Sequence, residues 1–275
     1  MQNAITVDVE EWFHICGVPA LAPGRWPLLP TRVESTTSLV LDELEAAGIH
    51  GTFFVLGWIA QRYPGLVAAI LARGHDVGSH SFWHRHVSEL TEADFVTDLD
   101  ASVDALKRAG ARDVTGFRAP EWSINRRSLW ALEVLAGRGF TNDASMAPVR
   151  IVGEPAFPRE PHVRATRTGR IVETPPFVVA RFGAAFPMGW GWGLRMTSPR
   201  RLLREIEGAN RDGRPVVLTI HPWELDPDPP RVVLPPRLRF AHYFRLDGFP
   251  SRLRQVLRGA PFGPLRHVAA AVSGS

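Results

Sequence analysis

The residues with chemistry to offer sit in four short stretches. The first is Thr6-Val7-Asp8-Val9-Glu10-Glu11. Side chains alternate along a strand, so Asp8 and Glu10 face one way while Val7, Val9 and Glu11 face the other. Two carboxylates ending an apolar strand can divide labour beside a divalent cation: one ligates it, and the other stays ionised at neutral pH as a base. The second is His80-Ser81-Phe82-Trp83-His84, whose histidines, four apart, can present nitrogens to one ion from a helical turn or a tight loop. His86 lies close enough to leave the choice of pair open. The third is Gly116-Phe117-Arg118-Ala119-Pro120-Glu121-Trp122, and the fourth is Leu218-Thr219-Ile220-His221-Pro222-Trp223-Glu224. An arginine at one strand end suits orienting a base, and a histidine at another suits protonating a leaving group. Each stretch alone has a blander reading. Strand-end carboxylates often cap helices, surface histidine pairs are common, and single Arg or His residues are more often structural.

What favours chemistry is a shared placement. Strands read at residues 3–9, 51–56, 75–79, 114–117, 140–145, 171–174 and 216–220, with helices between most of them. The helix at 33–47 puts Val33, Thr37, Val40, Leu44 and Ala47 on one face and Gly48 past its end. Helical stretches follow at 66–72 and 128–136. The helix from Thr91 to about residue 108 opens on a capping box, and Ser198-Pro199 starts another that runs to about 210. Such βα alternation predicts a parallel sheet, open or closed into a barrel. Asp8, His80, Arg118, Asp143 and His221 all fall at or just beyond the C-terminal ends of these strands, the face where α/β barrels build active sites. Residues 149–161 and 226–237 are Pro-rich and read as loops. Beyond about residue 226 the alternation stops, leaving a tail with one helix near 251–257.

With 275 residues and 22% charged, the chain is an ordinary globular one. No run approaches 18 apolar residues, and the start has no basic-then-apolar leader, so a cytoplasmic protein with no membrane span is expected. Cys16 is the lone cysteine. It excludes an internal disulfide and a zinc site built on cysteines, and reads as a small apolar residue of the interior. The net charge of +4 with a pI near 10.1 reflects chemistry rather than a basic surface: Lys107 is the only lysine, and the other cationic residues are arginines spread along the chain. No nucleic-acid partner is expected. Among nine tryptophans, Trp122, Trp223 and those of the 189–193 loop stand beside the motifs, where rings can stack on sugars.

In order, the chain shows TVDVEEWF (6–13), SHSFWH (79–84), FRAPEW (117–122), TNDASM (141–146) and TIHPWE (219–224). This series resembles the motif pattern of the NodB-type polysaccharide deacetylases, carbohydrate esterases with a distorted (β/α)7 barrel. TVDVEEWF, TFFVLGW (52–58) and HPWE are further similar to the branch associated with exosortase/PEP-CTERM exopolysaccharide genes, whose C-terminal extension FAHYFRLDG (240–248) resembles. The resemblance implies a catalytic barrel over residues 1–225 with an extension over 226–275 packed on it. It implies Asp8 as base, Arg118 as its tether, His221 as acid and Asp143 as the carboxylate that tunes His221. It implies His80 and His84 as ligands of a divalent metal, most plausibly Zn2+. Val9 stands where the family commonly has a second aspartate, so the carboxylate ligand falls to Glu10 or Glu11, and strand alternation selects Glu10. Glu121 replaces a usual tyrosine, leaving its backbone N–H as an oxyanion donor. The activity implied is hydrolysis of N-acetyl groups on the amino sugars of a bacterial polysaccharide or its precursor. The rival readings are a cyclic amide hydrolase of a sibling branch and a catalytically silent glycan-binding module. Nothing in the sequence sets the oligomeric state.

Overall fold

The computed structural model describes residues 2–150, 152–181 and 184–274. Its first half repeats strand and helix: β1 Asn3–Val9, α1 Val33–Ala46, β2 Thr52–Val55, α2 Gly57–Arg62, α3 Pro64–Ala72, β3 Asp76–Ser79, α4 Glu92–Arg108, β4 Gly116–Phe117, α5 Trp130–Gly137 and β5 Asn142–Asp143. The second half holds β6 His162–Ala165, β7 Arg170–Glu173, β8 Val178–Arg181, β9 Ala184–Pro187, α6 Gly191–Met196, α7 Pro199–Arg211 and β10 Val217–Ile220. It ends in α8 Pro236–Tyr243, α9 Phe249–Gly259, β11 Phe262–Gly263 and α10 Leu265–Ser273.

Strands β10, β1, β2, β3, β4, β5 and β7 run parallel in that order, and β6 adds antiparallel to β7. These seven parallel strands are the seven read from sequence. The sheet curls but stays open between β10 and β6, a half-barrel rather than a closed one. The free edge of β10 is covered by the roots of the β8–β9 hairpin, through Phe177 N–H to Val217 O at 3.0 Å and Thr219 N–H to Gly189 O at 2.6 Å. Pairing this edge removes the liability of an exposed strand.

The local reasons are legible. Every residue of β1 is buried, as expected for a central parallel strand covered on both faces. Thr91 caps α4 by accepting from Asp94 N–H, and Ser198 caps α7 by accepting from Arg201 N–H with Pro199 next. Gly78 is required by packing, since a Cβ there would stand 2.8 Å from both the Phe54 ring and Gly116 O. Leu44, Phe53, Ile59 and Ile220 belong to the main core, and Phe95, Phe117 and Phe140 to a second cluster beneath α4 and α5.

Two expectations need correction. The tail beyond residue 226 carries three helices and a strand rather than one helix, and β11 pairs with the start of β1 through Asn3 and Ala4. The 226–237 loop gives way to α8 at Pro236. The 149–161 stretch does read as a connection, and its Ile151 lies outside the described residues. No helix among the described residues is long and apolar enough to cross a membrane.

Candidate active site

β1 delivers Asp8, and the residue after its end, Glu10, follows on the same face. Arg118, just past β4, reaches across the half-barrel. Its Nη1 donates to Asp8 Oδ1 at 2.8 Å, Thr6 Oγ1 at 2.8 Å and Thr219 Oγ1 at 3.1 Å, while Nε donates to Ala144 O at 3.1 Å. Its guanidinium lies 4.6 Å over the Phe54 ring for which Gly78 makes room. The contact to the carboxylate is therefore single-pronged: Nε is spent on a backbone carbonyl, and Nη2 has no hydrogen-bond partner among the described residues. Asp8 Oδ2 is left free of Arg118 and lies 4.0 Å from His221 Nε2.

Glu10 Oε1 stands 2.8 Å from His80 Nε2 and 2.9 Å from His84 Nε2. His80 Nδ1 faces Arg118 O at 2.8 Å, and a carbonyl can only accept, so Nδ1 carries the proton. The Nε2 of the neutral ring is then a lone pair opposite a carboxylate oxygen. Two acceptors at this distance need a proton or a cation between them. Two imidazoles and one carboxylate with their donor atoms within 4.8 Å of one another fit a divalent ion with open positions. Glu10 is buried, and burial opposes its charge, but the His84 charge and the hydrogen bonds of both rings hold its carboxyl well below the usual range. Glu11 turns away: its Oε1 accepts the N–H groups of Arg32 and Val33 and caps α1. Burial raises its pKa to about 7 against those backbone bonds. His86 also turns away, towards Glu121 and Glu89.

His221 follows β10 at the cleft. Its Nδ1 is held not by Asp143 but by Glu224 Oε2 at 3.2 Å, which also accepts the His221 backbone N–H at 3.0 Å. Burial opposes protonation of His221, but the Glu224 hydrogen bond and the charges of Glu10, Glu224 and Asp8 raise it to about 9. Asp143 is fully buried elsewhere, accepting from Ser145 Oγ and Ser145 N–H and facing Glu173 across the β5–β7 register. Burial raises both carboxyls, and repulsion from Asp143 raises Glu173 further, while the Arg118 charge lowers both. Asp143 thus belongs to the surroundings of Arg118, a correction to its expected role.

The aromatic expectations also shift. Trp122 stacks on Trp190 at 4.5 Å, and Trp223 is sandwiched between His221 at 5.3 Å and His242 at 4.2 Å. Both rings are buried, so neither is a free sugar platform, although both line the cleft. The indole N–H groups of Trp122 and Trp190 have no hydrogen-bond partner among the described residues. Trp192 and Leu238 are among the cleft-lining apolar side chains with surface to offer, and Trp192 is backed by Phe240. The Glu121 side chain is committed to Cys16 N–H and His86.

Sequence reasoning missed Glu224, Arg195 and His14. Arg195 Nε lies 3.1 Å from Glu224 Oε1, and its other nitrogens donate to the carbonyls of Ala241, His242 and Phe244. Gly191 is required here, since a Cβ would meet the Glu224 carboxylate at 1.9 Å. The signal was present in Glu224, three residues after His221 in HPWE, whereas Arg195 has no motif. His14 accepts Glu11 N–H at Nδ1 and is held neutral first by burial and then by His84. Ser81, His84, Glu121 and Trp122 all adopt left-handed backbone, with φ from 49° to 66°. Such strain in non-glycine residues gathers where function holds the chain in place.

Residues 27–138 match the polysaccharide deacetylase family model, and residues 144–270 match a domain of unknown function, DUF3473. The boundary between the two falls inside one continuous sheet. Over 98 residues, 35% of its length, the chain is 29% identical to a peptidoglycan-N-acetylglucosamine deacetylase of Bacillus cereus, covering 36% of that protein. Over 104 residues, 34% of its length, it is 31% identical to chitin deacetylase 1 of Saccharomyces cerevisiae, covering 35% of it. The chain thus spans about a third of the length of these two relatives, and 15–20% of others it matches. Its fold is similar to that of a Mycobacterium smegmatis protein described as a candidate polysaccharide deacetylase, with TM-score 0.68 at 20% identity over 98% of this chain and 89% of that one. It is also similar to a pseudoenzyme of carbohydrate esterase family 4 from Bacillus anthracis, with TM-score 0.51 at 13% identity over 98% of this chain and 65% of that one. These two likenesses speak for the fold alone. Residues 27–138 are thus similar in sequence to polysaccharide deacetylases, and the fold is similar over nearly the whole chain.

Proposed function

We propose that this chain is a metal-dependent deacetylase that hydrolyses N-acetyl groups of amino sugars in a bacterial polysaccharide or its oligosaccharide precursor. The exopolysaccharide branch that its sequence resembles is the favoured setting, in the cytoplasm and with no nucleic-acid partner. Residues 1–225 form the catalytic barrel in this reading, and 226–275 an extension that supplies one wall of the cleft. The observation that carries the proposal is the convergence of three groups on one cleft: Asp8 Oδ2 opposite His221 Nε2 at 4.0 Å, beside the Glu10–His80–His84 cluster. The fold, which a pseudoenzyme shares, does not carry it.

Zinc held by Glu10, His80 and His84 is the ion that this donor set suits, and when bound it supplies an acidified water and a Lewis acid for the amide carbonyl. Asp8, aimed by Arg118, takes a proton from the attacking water with the oxygen that Arg118 leaves free. The backbone N–H of Glu121 donates to the oxyanion, a contact worth about 3–4 kcal/mol where such donors have been removed. His221 delivers the proton from Nε2 to the departing amine while Glu224 holds Nδ1. Products are acetate and a free amino sugar. At the mouth, Trp192 offers a ring to the sugar.

The test is an acetate-release screen on N-acetylglucosamine oligomers and on bacterial exopolysaccharide, with and without added zinc. Zinc-dependent acetate release is expected. No release by the metal-loaded protein would favour a silent glycan-binding module, and ring-opening of a cyclic amide in its place would favour the sibling hydrolase.

A further inference from the structure

A second cluster of metal-ligating side chains lies behind the first. Cys16 Sγ, a His86 ring nitrogen and a Glu121 carboxylate oxygen lie within 4.8 Å of one another. All three are partly exposed, and Cys16 and His86 line a separate cavity that Pro19, Trp26, Trp83 and Glu89 complete. Glu121 Oε2 stands 3.0 Å from His86 Nε2, and Glu89 Oε1 stands 3.3 Å from His86 Nδ1. Both His86 ring nitrogens thus face carboxylate oxygens, which hold the ring between Glu121 and Glu89. The other Glu121 oxygen accepts Cys16 N–H at 3.2 Å, which brings the thiol-bearing residue against the same carboxylate.

The geometry points to a second metal site, formed by Cys16, His86 and Glu121 and distinct from the Glu10–His80–His84 site. One sulfur, one imidazole nitrogen and one carboxylate oxygen suit a borderline-soft transition ion of the zinc type, and poorly suit magnesium or calcium, which take oxygen ligands. On binding, the Cys16 thiol and the His86 ring each release a proton to solvent, and they coordinate as a thiolate and an imidazole nitrogen. The two sites touch: Cys16 Sγ lies 3.5 Å from His84 Nδ1, so a ligand of the second ion is a hydrogen-bond partner of a ligand of the first. Occupancy of the second site therefore fixes the ring orientation of His84 as outer partners of metal-bound histidines do. The lone cysteine, expected to be inert interior, faces two histidines instead.

The test uses the full chain, stripped with chelator and titrated with cobalt(II) as the probe. Bound metal is counted by elemental analysis after desalting, and the near-ultraviolet spectrum is read for sulfur-to-cobalt charge transfer. Wild type should bind two equivalents and show the charge-transfer band. Cys16→Ser should lose the band and one equivalent, and His86→Gln should weaken both. His80→Ala should lose the other equivalent and keep the band. A wild-type protein that stops at one equivalent without the band overturns the second site, as do Cys16→Ser and His86→Gln proteins that both keep two. Should Cys16→Ser fail to fold, the wild-type spectrum and His86→Gln decide. One equivalent without the band, together with zinc-dependent acetate release, would remove this site and leave the proposed function standing.

Discussion

Glu224 binds His221 twice, accepting the backbone N–H at 3.0 Å and facing ring Nδ1 at 3.2 Å with the same oxygen. A carboxylate so placed sets the tautomer, leaving Nε2 towards the cleft, and stabilises the imidazolium. An acid must be protonated to act, so turnover should fall as pH rises through the His221 pKa, about 9 with its carboxylate neighbours and lower with a dication on Glu10. Glu224→Gln removes a stabiliser of the charged form, so the alkaline limb of the pH–rate profile should move to lower pH. Asp143→Asn, remote from the ring, should leave that limb in place. A limb that moves with Asp143 and not with Glu224 would return the tuning role to Asp143.

His221→Ala should lower turnover by roughly 10²–10⁴-fold, the usual range for an acid–base group, with metal content unchanged. A folded, metal-loaded variant with the parental rate would mean that His221 only packs against Trp223.

Asp8→Asn should keep its metal and lose turnover, because an amide cannot take the water's proton. Arg118→Lys should also lose activity. One ammonium on a flexible stem cannot reach Asp8, Thr6 and Thr219 while also holding Ala144 O, as Nη1 and Nε do. Acetate release by Asp8→Asn near the wild-type rate would make Asp8 a purely structural partner of Arg118.

Trp192→Ala should raise KM on oligosaccharides several-fold and spare kcat, since the ring lies at the cleft mouth rather than among the reacting groups. The same substitution at Trp223 should instead destabilise the fold, because its ring is sandwiched between His221 and His242.

The parts of the site carried by strands were legible in the sequence. Asp8 and Glu10 share a face because β1 alternates, and His80, Arg118 and His221 follow strand ends as a parallel sheet dictates. The caps at Thr91 and Ser198 announced α4 and α7. What escaped rests on contacts distant in sequence. Arg195 reads as one more surface arginine, yet it is buried on carbonyls some 46 to 49 positions away. Cys16 met the bland prior for a lone cysteine and departs from it only because a loop brings His84 and His86 beside it. The β8–β9 hairpin and the two-residue strand β11 are too short for periodicity to register. Asp143 was placed correctly at a strand end, but the curl of the sheet turns it towards Ser145 and Glu173.

The Arg195–Glu224 pair joins the catalytic wall to the C-terminal helices, and it is asymmetric. Both side chains are nearly inaccessible, with 3% and 1% exposure. Arg195 donates to three carbonyls around the end of α8, so it keeps partners if Glu224 loses its charge. Beyond Arg195, Glu224 has only the charge of the His221 ring and the two hydrogen bonds from that residue. Arg195→Met therefore leaves a buried carboxylate with the His221 ring as its remaining cation, and the loss should approach that of a broken buried pair, about 3–5 kcal/mol, without reaching the upper end. Glu224→Gln should cost less, because the amide still accepts the His221 N–H and Arg195 retains its carbonyls. Once Glu224 is an amide, the charge that Arg195 neutralises is gone, so the double variant should be more stable than the sum of the two single losses predicts. Denaturant unfolding of the four proteins measures this. Strict additivity would show that Arg195 serves only the α8 carbonyls and has no energetic hold on the residue that positions His221.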